Sequence, residues 1–419
     1  MKVVVVGAGP AGAAMALLLA RTGVQVRLVE REMSSTRVFR GEGFLPLGLD
    51  ALSEMQLGWS IDEIPGAAVE SWRIFIDGEQ VFRIPEPVEE LGERAFRVAS
   101  PSALIDRLIA AAHQQPTFRF HPGTRFVDVV RSDSGRVTGV RAAADGDMVQ
   151  WPADLVIGCD GRGSPLRTKA GLTLNLEPEQ YDVLWFKVPP PDALAEHCDF
   201  LIMVRAGEHP LIAYVSWDGT LQCGVIMPKG GLGRFDDAED WLAEAVVAAP
   251  ADLAEHVLAH RSAVDGPIRL NVLVGRAPVW SAPGVLLLGD AAHPTSPVRA
   301  QGINLALRDV VVAANHLAPL AAGSADPAAI TAACRAIQAE REPEVARAQK
   351  LQRREAAGQG DARSGSWRFA LGRHGARLLG GYGWAQQAWL RRQHDLRFGS
   401  VPVRLRVPVE VAGPPPRSG

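Results

Sequence analysis

The chain has 419 residues, 47% of them hydrophobic and 22% charged, with a formal net charge of −3. The length suits roughly two to three domains, the apolar share excludes wholesale disorder, and the charge gives no reason to expect nucleic acid as a partner. Cys159, Cys198, Cys223 and Cys334 form no CxxC pair, so neither a disulfide framework nor a metal site is expected, and they read as reduced thiols of a cytoplasmic protein.

Residues 3–6 are a continuous valine run, the pattern of a strand buried on both faces. No signal peptide is expected ahead of it, and no apolar stretch approaches the ~20 residues of a membrane span. A glycine-rich turn covers residues 7–12, a helix residues 13–21 up to Gly23, and a second strand residues 24–29. Asp77-Gly78 and Ser134-Gly135 each join two alternating segments, 72–76 with 81–84 and 126–130 with 137–142, as hairpins. Residues 101–112 form a helix opened by Ser100, and residues 155–157 return to a buried strand. Strands are expected at 183–188, 200–204, 211–217 and 221–227, followed by one helix over 236–260. A buried strand at 284–288 leads into a helix over 302–317, and from Pro343 the chain is Arg/Gln-rich and helical. This mixture is α/β, with one domain interrupting the other. The Arg-, Ala-, Gly- and Pro-rich composition points to a bacterial genome.

Gly7-Ala8-Gly9-Pro10-Ala11-Gly12 follows a strand and opens a helix, and Glu30 closes the second strand. Gly7 permits a tight turn, Gly9 lets a pyrophosphate approach the backbone, and Gly12 lets the helix pack on the strand. The helix N-terminus offers N–H groups to phosphates, and Glu30 suits ribose hydroxyls. This is a dinucleotide site, and the turn alone does not separate FAD from NAD(P).

Two later segments make that separation. Residues 156–167, with Asp160-Gly161, Ser164 and Arg167, resemble the "DG" signature of flavoprotein hydroxylases. Residues 284–304, with Gly289-Asp290, His293-Pro294, Pro297 and Gly302-Ile303-Asn304, resemble the second FAD-binding "GD" signature of the same proteins. From residue 1 to about 350 the chain is similar to class A, single-component FAD-dependent monooxygenases, of the aromatic hydroxylase and ubiquinone-biosynthesis hydroxylase type. The resemblance implies a glutathione-reductase-like FAD-binding Rossmann domain (1–70, 97–180, 267–345). It also implies an inserted antiparallel β-sheet substrate domain (71–96, 181–266) and a C-terminal helical segment and tail (346–419). It implies non-covalent FAD, and NADH or NADPH as a transient co-substrate, since one dinucleotide fingerprint is present. The implied reaction hydroxylates or epoxidises an aromatic or lipophilic small molecule with O2 through a C4a-hydroperoxyflavin. A reductase or redox-neutral flavoprotein of the same fold is the alternative.

The cofactor-binding candidates are Gly7, Gly9, Pro10, Ala11, Gly12, Glu30, Arg31, Arg40, Gly41, Asp160, Gly289, Asp290, Pro297, Gly302, Ile303 and Asn304. Asp290 ends a strand at the ligand edge of the sheet, and the amides of residues 302–304 can stabilise negative charge on reduced flavin. Asp160 and Arg167 also fit a structural ion pair. Residues 37–43, with Arg37, Arg40, Gly41 and Gly43, resemble the loop beside which the flavin ring swings, and the two glycines are points of flexibility. Candidates near the flavin for catalysis are His293, Pro294 and Arg299, with no catalytic side chain assigned. Arg299 either faces the reaction cavity or is a solvated loop residue. Where relatives carry Gly-Gln-Gly this chain has Ala300-Gln301-Gly302, and Pro101 stands where many carry arginine, with Arg97 or Arg107 as possible substitutes.

Alternation sets Trp185 and Lys187 against Leu184, Phe186 and Val188, and Tyr214 and Ser216 against Ala213, Val215 and Trp217. Trp185, Met203, Tyr214 and Trp217 are substrate candidates, because aromatic and sulfur side chains suit a planar or lipophilic ligand. Which face lines the cavity is open at this stage. Residues 346–419 hold 14 Lys/Arg against 4 Asp/Glu. They read as a helical cap over the FAD domain, with peripheral membrane contact as the other option.

Overall fold

In the computed structural model the valine run becomes the strand Lys2–Val6, the centre of a six-stranded sheet. The structure describes residues 1–34, 41–178, 181–237, 239–322, 326–363, 374–376 and 380–408. The strand order is Ser281–Ala282, Val285–Leu287, Leu155–Gly158, Lys2–Val6, Gln25–Val29, Phe118–His121, and every pairing but the Ser281–Ala282 edge is parallel. Val5 lies opposite both Leu28 and Ile157. Val3 and Val5 pack beneath the helices Pro10–Arg21, Pro101–His113 and Gln301–Leu317, while Val4 and Val6 pack on the antiparallel strands Arg125–Arg131, Val137–Ala144 and Asp147–Pro152. Burial on both faces is why the run carries no polar residue, at roughly 1.5–3 kcal/mol per buried side chain.

The hairpin Ser71–Ile76/Glu79–Pro85 does not stand alone. It forms the edge of a seven-stranded sheet, in the order Asp265–Val272, Tyr181–Val188, Leu221–Pro228, Leu211–Val215, Asp199–Val204, Ser71–Ile76, Glu79–Pro85. The hairpin and Asp199–Val204 are joined by the sheet's one parallel pairing. Asp77 and Gly78 have φ of 53° and 86°, the left-handed pair that a two-residue turn needs. Asp265–Val272 pairs with Tyr181–Val188 as far as Val272, so this sheet runs past the expected boundary at 266/267.

Two expectations are corrected. The single helix over 236–260 is three short ones, Gly233–Asp237, Trp241–Ala245 and Ala251–Ala259. Asp240 caps the second by accepting from the Ala243 N–H at 3.2 Å. Pro250 cannot donate an N–H within a helix and opens the third. Pro343 does not start a new segment either. It lies inside the helix Pro327–Arg363, which runs through the expected boundary at 345/346. Residues 383–392 and 394–398 are helical, and Trp389 packs against Trp72 with ring centroids 5.7 Å apart. Among the described residues no helix is long and apolar enough to cross a membrane.

Candidate cofactor and substrate site

The glycine turn lies at the carboxyl end of Lys2–Val6. A Cβ on Gly7, at φ 96°, would stand 2.5 Å from the Cys159 carbonyl oxygen, and one on Gly12 would stand 1.8 Å from the Gly7 carbonyl oxygen. Both positions exclude a side chain through protein contacts. A Cβ on Gly9 meets nothing within 4 Å, so the absence of a side chain there leaves open space at the helix N-terminus. Pro10 occupies the first helical position, and the following amides of Ala11 and Gly12 belong to a first turn with no intrahelical acceptors. The open Gly9 cradle and these amides fit a pyrophosphate.

Glu30 is buried at the end of Gln25–Val29, where its carboxylate accepts from the Ala8 N–H at 2.8 Å and the Glu32 N–H at 3.0 Å. This holds the acid beside the turn. Arg31 is exposed and pairs with Glu32 at 2.9 Å. Arg37 and Arg40 lie outside the described residues. Gly41 is exposed, whereas Gly43 is not a free hinge: it sits in the strand Gly43–Phe44, where a Cβ would stand 3.0 Å from the Ala300 Cβ.

The two later motifs converge on this turn. A Cβ on Gly7 would lie 2.9 Å from the Asp160 Cα, and one on Gly289 would lie 3.8 Å from the Ala11 Cβ. Asp160 accepts from the Ser164 hydroxyl at 2.6 Å and the Leu166 N–H at 2.9 Å, capping the helix Pro165–Lys169. Arg167 donates to the Ala291 and Arg162 carbonyls at 2.8 and 3.0 Å. The pair thus braces the site through hydrogen bonds to backbone and hydroxyl groups.

Asp290 is half-buried, and burial pushes its carboxyl up against the opposing pull of His293 and Arg162. A Cβ on Gly302 would stand 3.6 Å from Asp290 Oδ1, which places the carboxylate at the N-terminus of Gln301–Leu317. Gly302 and Ile303 are partly accessible there. Asn304 is fully buried, with its side chain accepting from the Leu45 N–H at 2.9 Å and donating to the Gly43 carbonyl at 3.0 Å. It clamps residues 43–45 to the helix. Pro297 leads into the short turn before that helix, and Pro294 is buried, its carbonyl accepting from the Gly275 N–H at 3.0 Å.

His293 does not face an open cavity. Its Nε2 lies 2.6 Å from Asp309 Oδ2, its ring packs on Trp280 at 4.8 Å, and it is 1% exposed. Asp309 also accepts from the Gly289 N–H at 3.0 Å and Arg341 Nε at 2.8 Å; Arg341 and Arg308 share Glu344. The sequence reading missed this network. Its signal is the pair Arg308-Asp309 inside an apolar helix, since buried charges must be paired.

The reading of Arg299 as a solvated loop residue does not survive, because its guanidinium lies 5.1 Å from the Trp72 ring and 4.7 Å from the Trp389 ring. Arg97 pairs with Asp62, and Arg107 with Glu63 at 2.8 Å.

The seven-stranded sheet resolves the question of faces. Val183, Trp185 and Tyr214 share a core with Leu45, Phe96 and Leu305 from the cofactor side. Tyr214 stacks on Phe200 at 5.2 Å and its hydroxyl accepts from Gln222 Nε2 at 2.8 Å. Met203 is a correction: it lies on the opposite face with Phe186, Leu201 and Val257, under the helices, and does not reach this side. Trp217 is 37% exposed beyond the end of Leu211–Val215, with Lys187 Nζ 5.9 Å from its ring. Glu42, also missed, reaches across to this sheet. It is 1% exposed, accepts from the Ser216 hydroxyl at 2.7 Å and lies 3.8 Å from Lys187 Nζ, and burial raises its pKa to about 7. An acid set between Gly41 and Gly43 was its only mark in the sequence.

Comparison with known proteins gives the class. Residues 1–349 match the family described as an FAD binding domain, and the chain belongs to that family. It is 35% identical over 320 residues to 6-methylpretetramide 4-monooxygenase of Streptomyces rimosus, covering 74% of this chain and 73% of that protein. It is 30% identical over 342 residues to kynurenine 3-monooxygenase of Salinispora arenicola (strain CNS-205), covering 74% and 71%. The fold matches p-nitrophenol 4-monooxygenase of Pseudomonas putida DLL-E4 with a TM-score of 0.71 at 18% identity, over 96% of this chain and 98% of that one. The protein is an FAD-dependent monooxygenase of the class A, aromatic-hydroxylase type, an oxidoreductase.

Proposed function

We propose that the enzyme uses NADH or NADPH, bound transiently, and O2 to hydroxylate or epoxidise a small aromatic or lipophilic molecule in the cytoplasm. The observation that carries this reading is the meeting of the aromatic face of the seven-stranded sheet with the elements around Gly43, Ala300 and Asn304. A planar ligand between them lies against the expected flavin position. Residues 7–12, Glu30, Asp290 and the amides of Gly302 and Ile303 hold FAD without a covalent link. When bound, FAD supplies hydride acceptance and oxygen activation.

The protein's own contribution is positioning. Asp309 and His293 fix the turn bearing Asp290. Asn304 fastens residues 43–45 to the helix behind the flavin site. Trp185, Phe200 and Tyr214 present an apolar wall that keeps water from the reacting centre. We read residues 1–70, 97–180 and 273–345 as the cofactor-binding part, and 71–96 with 181–272 as the substrate part.

The reading is tested by screening aromatic compounds for stimulated NAD(P)H oxidation, with products identified by mass spectrometry. A substrate that stimulates oxidation and gains 16 mass units is expected. Oxidation that yields only hydrogen peroxide across the screen, with no oxygenated product, contradicts it.

A further inference from the structure

One face of the helix Pro327–Arg363 holds the whole segment that leads into Gln301–Leu317. Arg341 binds Asp309, which in turn holds the Gly289 N–H and His293. Further along, Gln349 Nε2 donates to the Gly275 carbonyl at 2.7 Å and the Pro294 carbonyl at 3.4 Å. One turn on, Gln352 Nε2 donates to the Ser296 and Val298 carbonyls at 2.9 and 2.6 Å. Both glutamines are buried, and their Oε1 atoms accept from no donor among the described residues. A buried amide oxygen without a partner costs free energy. The amides are therefore kept for their nitrogens, and turning either one round would set oxygen against oxygen.

The consequence is where the backbone carbonyls point. Those of Pro294, Ser296 and Val298 turn to the two glutamines, that of Arg299 accepts from Gln301 Nε2 at 3.0 Å, and that of Ala300 from Asn304 Nδ2 at 2.5 Å. Pro294, Ser296 and Val298 are buried, while Thr295 and Pro297 between them stay partly accessible. A Cβ on Gly302 would stand 3.5 Å from Thr295 Oγ1 and 3.6 Å from Asp290 Oδ1. Thr295 thus shares the opening at the helix N-terminus with Asp290, and the carbonyls on either side of it face the protein.

We propose that Gln349 and Gln352 are positioning residues for the reduced cofactor, holding the carbonyl dipoles of residues 294–298 away from the place where negative charge develops on the flavin. This rests on FAD being seated at Asp290 and the Gly302 and Ile303 amides. Those amides stabilise the developing charge, and a carbonyl turned towards it opposes them. Oxidised flavin carries no such charge, so loss of the glutamine donors penalises the reduced form selectively.

The test is the reduction potential of bound FAD, measured against a reference dye, with the affinity for oxidised FAD taken from fluorescence quenching. Neither needs turnover. Q352M keeps the size of the side chain and removes its donors. It is expected to bind oxidised FAD within about threefold of wild type and reduced FAD about tenfold more weakly, a fall of about 30 mV for a two-electron couple. Q349M is expected to shift the potential in the same direction, and decides the matter if Q352M does not fold. Q338M is the comparison. Gln338, on the same helix, donates to the Pro278 carbonyl at 2.9 Å, outside this segment, so its loss is expected to lower stability without moving the potential. A folded Q352M at the wild-type potential, a rise instead of a fall, or an equal fall in Q338M overturns the proposal. A wild-type protein that takes up no FAD removes the cofactor reading itself, whereas one that binds FAD while its glutamine variants stay unshifted loses this inference alone.

Discussion

His293 Nε2 and Asp309 Oδ2 lie 2.6 Å apart in a fully enclosed site, and the same carboxylate receives the Gly289 N–H and Arg341 Nε. One buried acid therefore fixes the turn that carries Asp290. Burial pushes the Asp309 pKa up, but His293 and Arg341 outweigh it and hold it at about 2. That is below the ordinary value of ~3.9. The carboxylate's contribution, on the order of 2–3 kcal/mol, is therefore fully present above about pH 4 and lost as pH falls through about 2. D309N is expected to lose roughly 3 kcal/mol at neutral pH and to flatten that acid limb. Urea unfolding at several pH values measures both, and parallel wild-type and variant profiles refute the assignment.

Gly9 and Gly12 are predicted to behave oppositely. A Cβ at Gly12 would overlap the Gly7 carbonyl oxygen, whereas one at Gly9 meets open space with a backbone φ of −70°. G12A should unfold at lower urea or fail to fold. G9L should stay within about 1 kcal/mol of wild type yet bind FAD at least about tenfold more weakly, by removing the phosphate approach. Normal FAD affinity in folded G9L contradicts the phosphate cradle.

Asp290 sits at the ligand edge of the sheet and is only half-buried. D290A is expected to lower FAD occupancy with unchanged circular dichroism. Acid precipitation of the wild type should release FAD into the supernatant. An unfolded variant, or flavin retained in the pellet, counts against the assigned role or the non-covalent link respectively.

Glu42 gives a pH dependence of the opposite sign. Burial raises its pKa to about 7, against the lowering influence of Ser216 and Lys187 and with Asp218 adding to the rise. A carboxyl whose folded value is raised contributes stability below its ordinary ~4.3 and loses it as pH rises through 7, here on the order of 3 kcal/mol. E42Q keeps a neutral group beside Ser216, so its stability should fall less than wild type between about pH 5 and 8. Identical slopes in thermal unfolding would remove Glu42 as the titrating group.

The glycine turn was legible because its sequence context is local: a strand before it, a helix after it, and glycines at Gly7 and Gly12, where a side chain does not fit, on either side of Gly9, where the space is open. The hairpin at Asp77-Gly78 was legible for the same reason. The His293–Asp309–Arg341 network was not, because its partners lie 16 and 32 residues from Asp309 and meet only through helix packing. Alternation sorted Trp185 from Phe186 but could not say which side meets the cofactor elements. Met203 was misassigned on that account, since both faces of the sheet are covered and both read as apolar. The break in the helix expected over 236–260 is marked in the sequence by Pro250, which cannot donate an N–H inside a helix and stands at the start of Ala251–Ala259.

The most direct test of the central claim is isotopic. The enzyme is supplied with NAD(P)H and 18O2 and a substrate found in the aromatic screen, and the product is weighed by mass spectrometry. The account predicts one 18O atom in each product molecule and none when the label is supplied as water. Product formed without label from 18O2 would contradict the monooxygenase assignment and favour a flavoprotein of this fold that does not activate oxygen.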